Sequence, residues 1–151
     1  DRIVNSVAGI KKYGVPLIII DIGTAITFDV IDENSLYQGG AIIPGIGISS
    51  EALFLKTAKL PKVELYKPEK IVAKNTMDNI RVGMVIGYIG LIEKLIDEIV
   101  KEMKFDSSKL KVVATGGYSS LISKDINKID IIDKKLTLDG MLEIYKMKKG
   151  L

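Results

Sequence analysis

The apolar positions change their period several times along the chain, and each change predicts an element. Ile3, Val4, Val7 and Ile10 recur at helical spacing, which predicts a helix over residues 1–13, stopped by Gly14 and Pro16. Ile18, Ile19 and Ile20 then run unbroken into Asp21, and Gly23 and Thr24 follow at once. Beyond them Ile26, Phe28 and Val30 alternate with Thr27, Asp29 and Ile31. This pattern predicts a buried strand, a tight turn and an antiparallel return within residues 17–32. A polar turn at Asp32–Ser35 leads to a third strand, Leu36 to Ile43. Gly39 and Gly40 sit inside it, where paired glycines weaken a strand unless something approaches closely. Pro44 to Glu51 reads as a turn into a helix, with Ser49 or Ser50 as its cap and an end near Ala58.

Residues 59–75 read as irregular, broken by Pro61 and Pro68. A long helical pattern follows from Met77 to Lys104, with Thr76 as the expected cap. Its second half is amphipathic: Ile92, Leu95, Ile96, Ile99 and Met103 against Glu93, Lys94, Asp97, Lys101 and Glu102. Its first half is apolar all round, with Gly83, Gly87 and Gly90 between the large residues. Such a helix is buried on more than one side, in a homodimer interface or a deep internal packing surface. Lys111–Thr115 predicts a strand, Gly116-Gly117 a turn into a helix, and Ile129–Ile132 a short further strand. A last helix starts at Leu136, with Leu138, Met141, Leu142 and Tyr145 expected inward. The order predicts an α/β domain with a mixed sheet of about five strands, three antiparallel and then parallel, between flanking helices. That succession fits half of an actin-like, ribonuclease-H-like phosphotransferase.

Composition narrows the chemistry. The 151 residues are 47% hydrophobic and 27% charged, ordinary for one globular domain. No apolar run reaches the roughly 20 residues of a membrane helix. Cysteine and histidine are both absent. Any general base is therefore a carboxylate, Lys or Tyr, and thiolate and zinc chemistry are disfavoured. The net charge is +3, but only Arg2 and Arg81 are arginines and the lysines are scattered. No basic stripe suggests nucleic-acid binding. A cytoplasmic protein with no nucleic-acid or membrane partner is the expectation.

Two stretches carry candidate chemistry. Asp21 is the lone charge at a strand end, beside the bare backbone of Gly23 and the hydroxyl of Thr24. These groups suit a phosphate and its counter-cation, but they equally suit a hairpin whose Asp and Thr satisfy turn amides. Gly116 and Gly117 leave flat backbone against which an adenine or ribose can lie, or mark an ordinary strand-to-helix turn. Asp1, at a helix start, reads as a cap.

Taken together, the ordered motifs resemble the type III pantothenate kinase family. They are Asp1-Arg2-x-x-Asn5; Asp21-x-Gly23-Thr24-Ala25-x-Thr27; Gly39-Gly40-Ala41-Ile42-Ile43-Pro44-Gly45; Ser50-Glu51-Ala52-Leu53; Thr57-Ala58-Lys59-Leu60-Pro61; Lys74-Asn75-Thr76; Ala114-Thr115-Gly116-Gly117; and Leu136-Thr137-Leu138-x-Gly140. The resemblance implies transfer of the ATP γ-phosphate to pantothenate, giving 4'-phosphopantothenate at the first step toward coenzyme A. It implies a homodimer that uses Mg²⁺ and a monovalent cation, K⁺ or NH₄⁺. By that resemblance Asp1 is the catalytic proton acceptor and Asp1, Arg2 and Thr76 hold pantothenate, Thr76 from across the dimer. Asp21 binds the monovalent cation, Thr24 contacts ATP, and Gly116 and Gly117 lie on its adenosine side. The family's G-x-D-R motif lacks its first two positions here, and Ala73 stands where glycine is usual. The family's N-terminal phosphate-loop domain has no counterpart in these residues. Residues 1–151 are therefore expected to form a single C-terminal domain, inactive alone. The alternative is a non-catalytic accessory factor for transcription, as some relatives are named (Bvg accessory factor-like). Joint retention of Asp1, Arg2, Asp21 and Thr24 argues against it.

Overall fold

The computed structural model describes residues 2–150. Helix α1 (Arg2–Tyr13) leads into β1 (Leu17–Ile22), β2 (Ala25–Ile31) and β3 (Tyr37–Pro44). Helices α2 (Ile46–Lys56) and α3 (Thr76–Met103) follow, then β4 (Lys111–Thr115), α4 (Ser119–Ile122), β5 (Ile131–Ile132) and α5 (Leu136–Lys149). The sheet runs β3-β2-β1-β4-β5. β2 is antiparallel to β1 and β3, whereas β4 is parallel to β1 and β5. This is the mixed, ribonuclease-H-like sheet arrangement expected from the element order.

The isoleucine run is apolar without alternation because β1 is central and covered on both faces. Ile18, Ile20 and Ile22 join Ile26, Phe28 and Val30 in one core, against Ile46 of α2 and Val85, Ile92 and Ile96 of α3. Leu17 and Ile19 join Ile31 and Val113 on the opposite face, with Ala8 of α1 and Leu136 of α5. Burying each such side chain is worth about 2 kcal/mol. Helices α1 and α3 thus cover opposite faces of the sheet.

Several boundaries and faces differ from the sequence reading. Helix α2 begins at Ile46 on an extended Gly45, not on Ser49 or Ser50, and no side chain caps it. Ser49 is used elsewhere: its hydroxyl meets the Tyr88 hydroxyl at 2.5 Å, and Tyr88 also donates to the Pro44 carbonyl at 2.9 Å. Helix α3 is capped by Asn75, whose side chain accepts from the Asp78 amide, so Thr76 is its first residue. The buried face of α1 is made of Asn5, Ser6, Ala8 and Gly9, not of its apolar stripe, and Ile3 is exposed. Small residues win there because the helix lies close on the sheet. In α5 the inward positions are Leu136 and Gly140, while Leu138, Met141, Leu142 and Tyr145 face outward. The backbone of α1 at Val4 presses so near Gly140 that only a glycine fits between the helices, which fixes which face of α5 turns in.

Ion pairs from the last turn of α1 also tie it to α5 and the turn before it. Lys12 Nζ pairs with Asp133 at 2.5 Å and Asp139 at 2.7 Å, and the Tyr13 hydroxyl donates to Asp133 at 2.6 Å. Lys11 pairs with Glu143. Burial pushes the Asp133 carboxyl up, but Lys12, Tyr13 and the Lys135 amide together hold it below its ordinary value. Lys11 does the same to Glu143. Groups with depressed folded values stabilise the fold fully above the unfolded carboxylate range, about pH 4. That contribution is lost as pH falls through the lower folded values. We therefore expect urea midpoints to drop on acidification from pH 5 downward, and Lys12→Met to flatten that drop by removing the partner of Asp133 and Asp139.

Candidate active site

Three turns meet at the carboxyl end of β1. The first joins β1 to β2 through Gly23 and Thr24, closed by a 3.1 Å hydrogen bond from the Gly23 amide to the Ala25 carbonyl. The second, Pro44-Gly45, opens α2, and its Gly45 amide donates to the Thr24 carbonyl at 3.0 Å. The third follows β4, and the Tyr118 amide donates to the Ile22 carbonyl at 2.9 Å. Gly116 sits at φ +95° in this turn, and a Cβ there would stand 2.5 Å from Asp21 Oδ1 and 2.6 Å from the Ile22 carbonyl carbon. Only glycine allows that approach. Parallel pairing of Asp21 with Thr115 brings the β1 and β4 ends together. The structure thus joins Asp21, Thr24, Gly116 and Gly117 at one end of the sheet. A cleft of about 430 Å³ opens beside them, lined by Gly23, Thr24, Gly47, Glu51, Lys62 and Tyr118 among others.

Asp21 lies on the α1 face of the sheet, half-buried. Its Oδ2 accepts from Asn5 Nδ2 at 3.3 Å, and Thr137 of α5 donates to Asn5 Oδ1 at 2.8 Å. Burial raises the Asp21 carboxyl above its ordinary value; Asn5 lowers it and the nearby Asp29 raises it again. Among the described residues no three His, Cys, Asp or Glu side chains cluster as a metal site.

Arg2 starts α1 and reaches the strand beyond. Its Nε donates to Asp29 Oδ1 at 2.6 Å and its Nη2 to the Phe28 carbonyl at 3.2 Å. Asp29 is fully buried, and its Oδ2 has no hydrogen-bond partner. Thr76, exposed at the start of α3, is on the other side of the sheet from Arg2. It neighbours a second cleft of about 430 Å³ lined by Tyr66, Lys70, Lys74, Asn75 and Asp78 among others. The single chain does not bring Thr76 to Arg2. Asp1, the expected base, lies outside the described residues.

The profile described as type III pantothenate kinase matches residues 1–98. The chain belongs to the type III pantothenate kinase family. A type III pantothenate kinase of Finegoldia magna is 52% identical over 150 residues, covering 99% of this chain and 57% of that protein. One from Persephonella marina is 50% identical over 145 residues, covering 96% of this chain and 56% of that protein. The chain therefore spans little more than half the length of these curated relatives. A crystal structure from Campylobacter jejuni, described as a Baf family transcriptional activator, superposes with a TM-score of 0.66 at 26% identity. It covers 96% of this chain and 63% of that one.

For a member of the pantothenate kinase family, the sequence does not reveal the partners of the expected residues: Asp29 on Arg2, with Tyr37 bound to Asp29, and Asn5 on Asp21, with Thr137 bound to Asn5. One signal was available. Asp29 is a charge between Phe28 and Val30 in a strand, and a charge in such a place is paired. Its partner lies 27 residues away, and no spacing rule reveals that.

Proposed function

We propose that this chain is the C-terminal, ribonuclease-H-like part of a pantothenate kinase, an enzyme that transfers the γ-phosphate of ATP to the terminal hydroxyl of pantothenate. The reading rests on the meeting of Asp21, Thr24 and the Gly116 turn at one sheet end, in a chain of this family. Phosphoryl transfer needs positioning and charge neutralisation more than covalent help, so a chain without His or Cys is adequate. The Thr24 hydroxyl and the Gly23–Thr24 turn face the ATP phosphates, and Gly116 and Gly117 flank the adenosine. Arg2 takes the pantothenate carboxylate, and Asp1 accepts the hydroxyl proton. Asp21 holds K⁺ or NH₄⁺, whose charge offsets phosphate charge when bound. Mg²⁺ belongs with the nucleotide phosphates and the phosphate-loop domain of the intact protein.

A homodimer is part of this proposal. Gly83, Gly87 and Gly90 of α3 face open space, with nothing within 4 Å of a Cβ built on them. Met77 and Leu91 of the same helix are exposed. A partner on this face would bury them and carry its own Thr76 toward a site that one chain leaves incomplete. No described helix is long and apolar enough to cross a membrane; a cytoplasmic placement is a separate part of this proposal.

The test is an ATP-coupled assay of the intact protein with pantothenate, with and without potassium, beside Asp1→Asn. Turnover that needs both pantothenate and potassium and falls at least about 100-fold in the variant supports the reading. No turnover by a folded dimer would favour the accessory-factor reading instead.

A further inference from the structure

Arg2 does not reach into the site freely. Two of the five N–H donors of its guanidinium are used within the described residues, Nε on Asp29 Oδ1 and one on the Phe28 carbonyl. Tyr37 of β3 also donates to that same Asp29 oxygen, at 2.8 Å, and its ring lies 5.8 Å from the guanidinium carbon. Both donors therefore crowd onto Oδ1 while Oδ2 stays without a partner. The Arg2 side chain is 35% exposed and Asp29 is fully buried, so the pair has one fixed end and one open end. The backbone beneath is set as well. Gly40 lies opposite Asp29 at φ +154°, and a Cβ there would stand 1.7 Å from the Phe28 carbonyl oxygen that Arg2 uses.

We propose that Asp29 and Tyr37 are positioning residues that hold Arg2 by one edge and keep its other donors free for the carboxylate of the acceptor substrate. This rests on the reading of Arg2 given above. Carboxylates prefer to take guanidinium by two parallel hydrogen bonds. Asp29 would do so if its carboxylate turned to bring Oδ2 onto Arg2. The Tyr37 hydroxyl, bound to Oδ1, opposes that turn. Removing it lets Asp29 draw in a second Arg2 donor at the substrate's expense. The Tyr37 phenol stays protonated for this task, since burial and then the Asp29 hydrogen bond push it above its ordinary value.

The experiment is steady-state kinetics of the intact kinase with Tyr37→Phe, Arg2→Lys and the double variant. Tyr37 is 39% exposed, so Tyr37→Phe removes a hydroxyl without opening a core. The expected result is a KM for pantothenate raised roughly tenfold, with kcat and the KM for ATP changed less than about twofold. In the Arg2→Lys background, where the fork is gone, Tyr37→Phe is expected to add nothing further. Asp29→Asn, which keeps the shape but not the charge, should likewise raise the pantothenate KM. An unchanged pantothenate KM in folded Tyr37→Phe overturns the inference, as does full additivity with Arg2→Lys. If Arg2→Lys itself leaves the pantothenate KM unchanged, the substrate role of Arg2 fails first. A purely structural role would lower the melting temperature without moving KM.

Discussion

Asp21→Asn is expected to make the fold more stable and the enzyme inactive. Burial and then Asp29 act against the charge on Asp21, and Asn5 offsets only part of this. A carboxyl with a raised folded value binds its proton more tightly in the folded state. Stability from that source is therefore greatest at low pH and is lost as pH rises through the folded value. At neutral pH the ionised group is a net cost to the fold. Asparagine has the same shape, keeps an oxygen for the Asn5 amide and carries no charge, so the melting temperature should rise. Activity should move the other way. If Asp21 is the cation ligand, the variant loses the charge that holds potassium, and a loss of one preorganised electrostatic group costs about 100-fold or more in turnover. The two readouts separate the roles. Potassium chloride should stabilise the wild-type protein beyond an equal concentration of tetramethylammonium chloride, and that difference should vanish in Asp21→Asn. A variant that melts lower and keeps its potassium response would show Asp21 to be a hairpin residue only.

Much of this was legible in the sequence because the relevant patterns are local. The unbroken Ile18–Ile20 run and the alternation after Thr24 could be read as a covered central strand and its antiparallel partner. The order of strands and helices then left few topologies. Asp21 and Gly116, far apart in the chain, stand at two strand ends that parallel pairing brings side by side. What was not legible depends on contacts between distant segments. Ser49 looks like a cap, but Gly45 already begins the helix because its amide is held by Thr24. Leu138, Met141, Leu142 and Tyr145 look like a buried stripe by composition. The actual packing of α5 is decided by Gly140 against Val4, a contact no periodicity encodes. The hydrogen-bonded partners of Arg2 and Asp21 belong to the same class, since each joins residues on different elements.

Arg2→Met is expected to cost the fold much of its stability, and the loss should be repairable without repairing function. Asp29 is fully buried, its Oδ2 is already without a partner, and Arg2 is its only cationic contact among the described residues. Removing Arg2 leaves a buried charge with one phenol hydrogen bond. Breaking such a pair from one side costs about 3 kcal/mol. For 151 residues that corresponds to about 10 °C in Tm. The asymmetry supplies the control. Replacing both members by apolar residues of similar volume is often neutral, because no charge remains to be buried. Arg2→Met combined with Asp29→Leu should therefore recover most of the melting temperature, as calorimetry would register. Pantothenate turnover should stay at the level of Arg2→Met, because the guanidinium that meets the substrate is still missing. Recovery of activity along with stability would mean that Arg2 serves only to neutralise Asp29, and the carboxylate of the substrate would then need another partner.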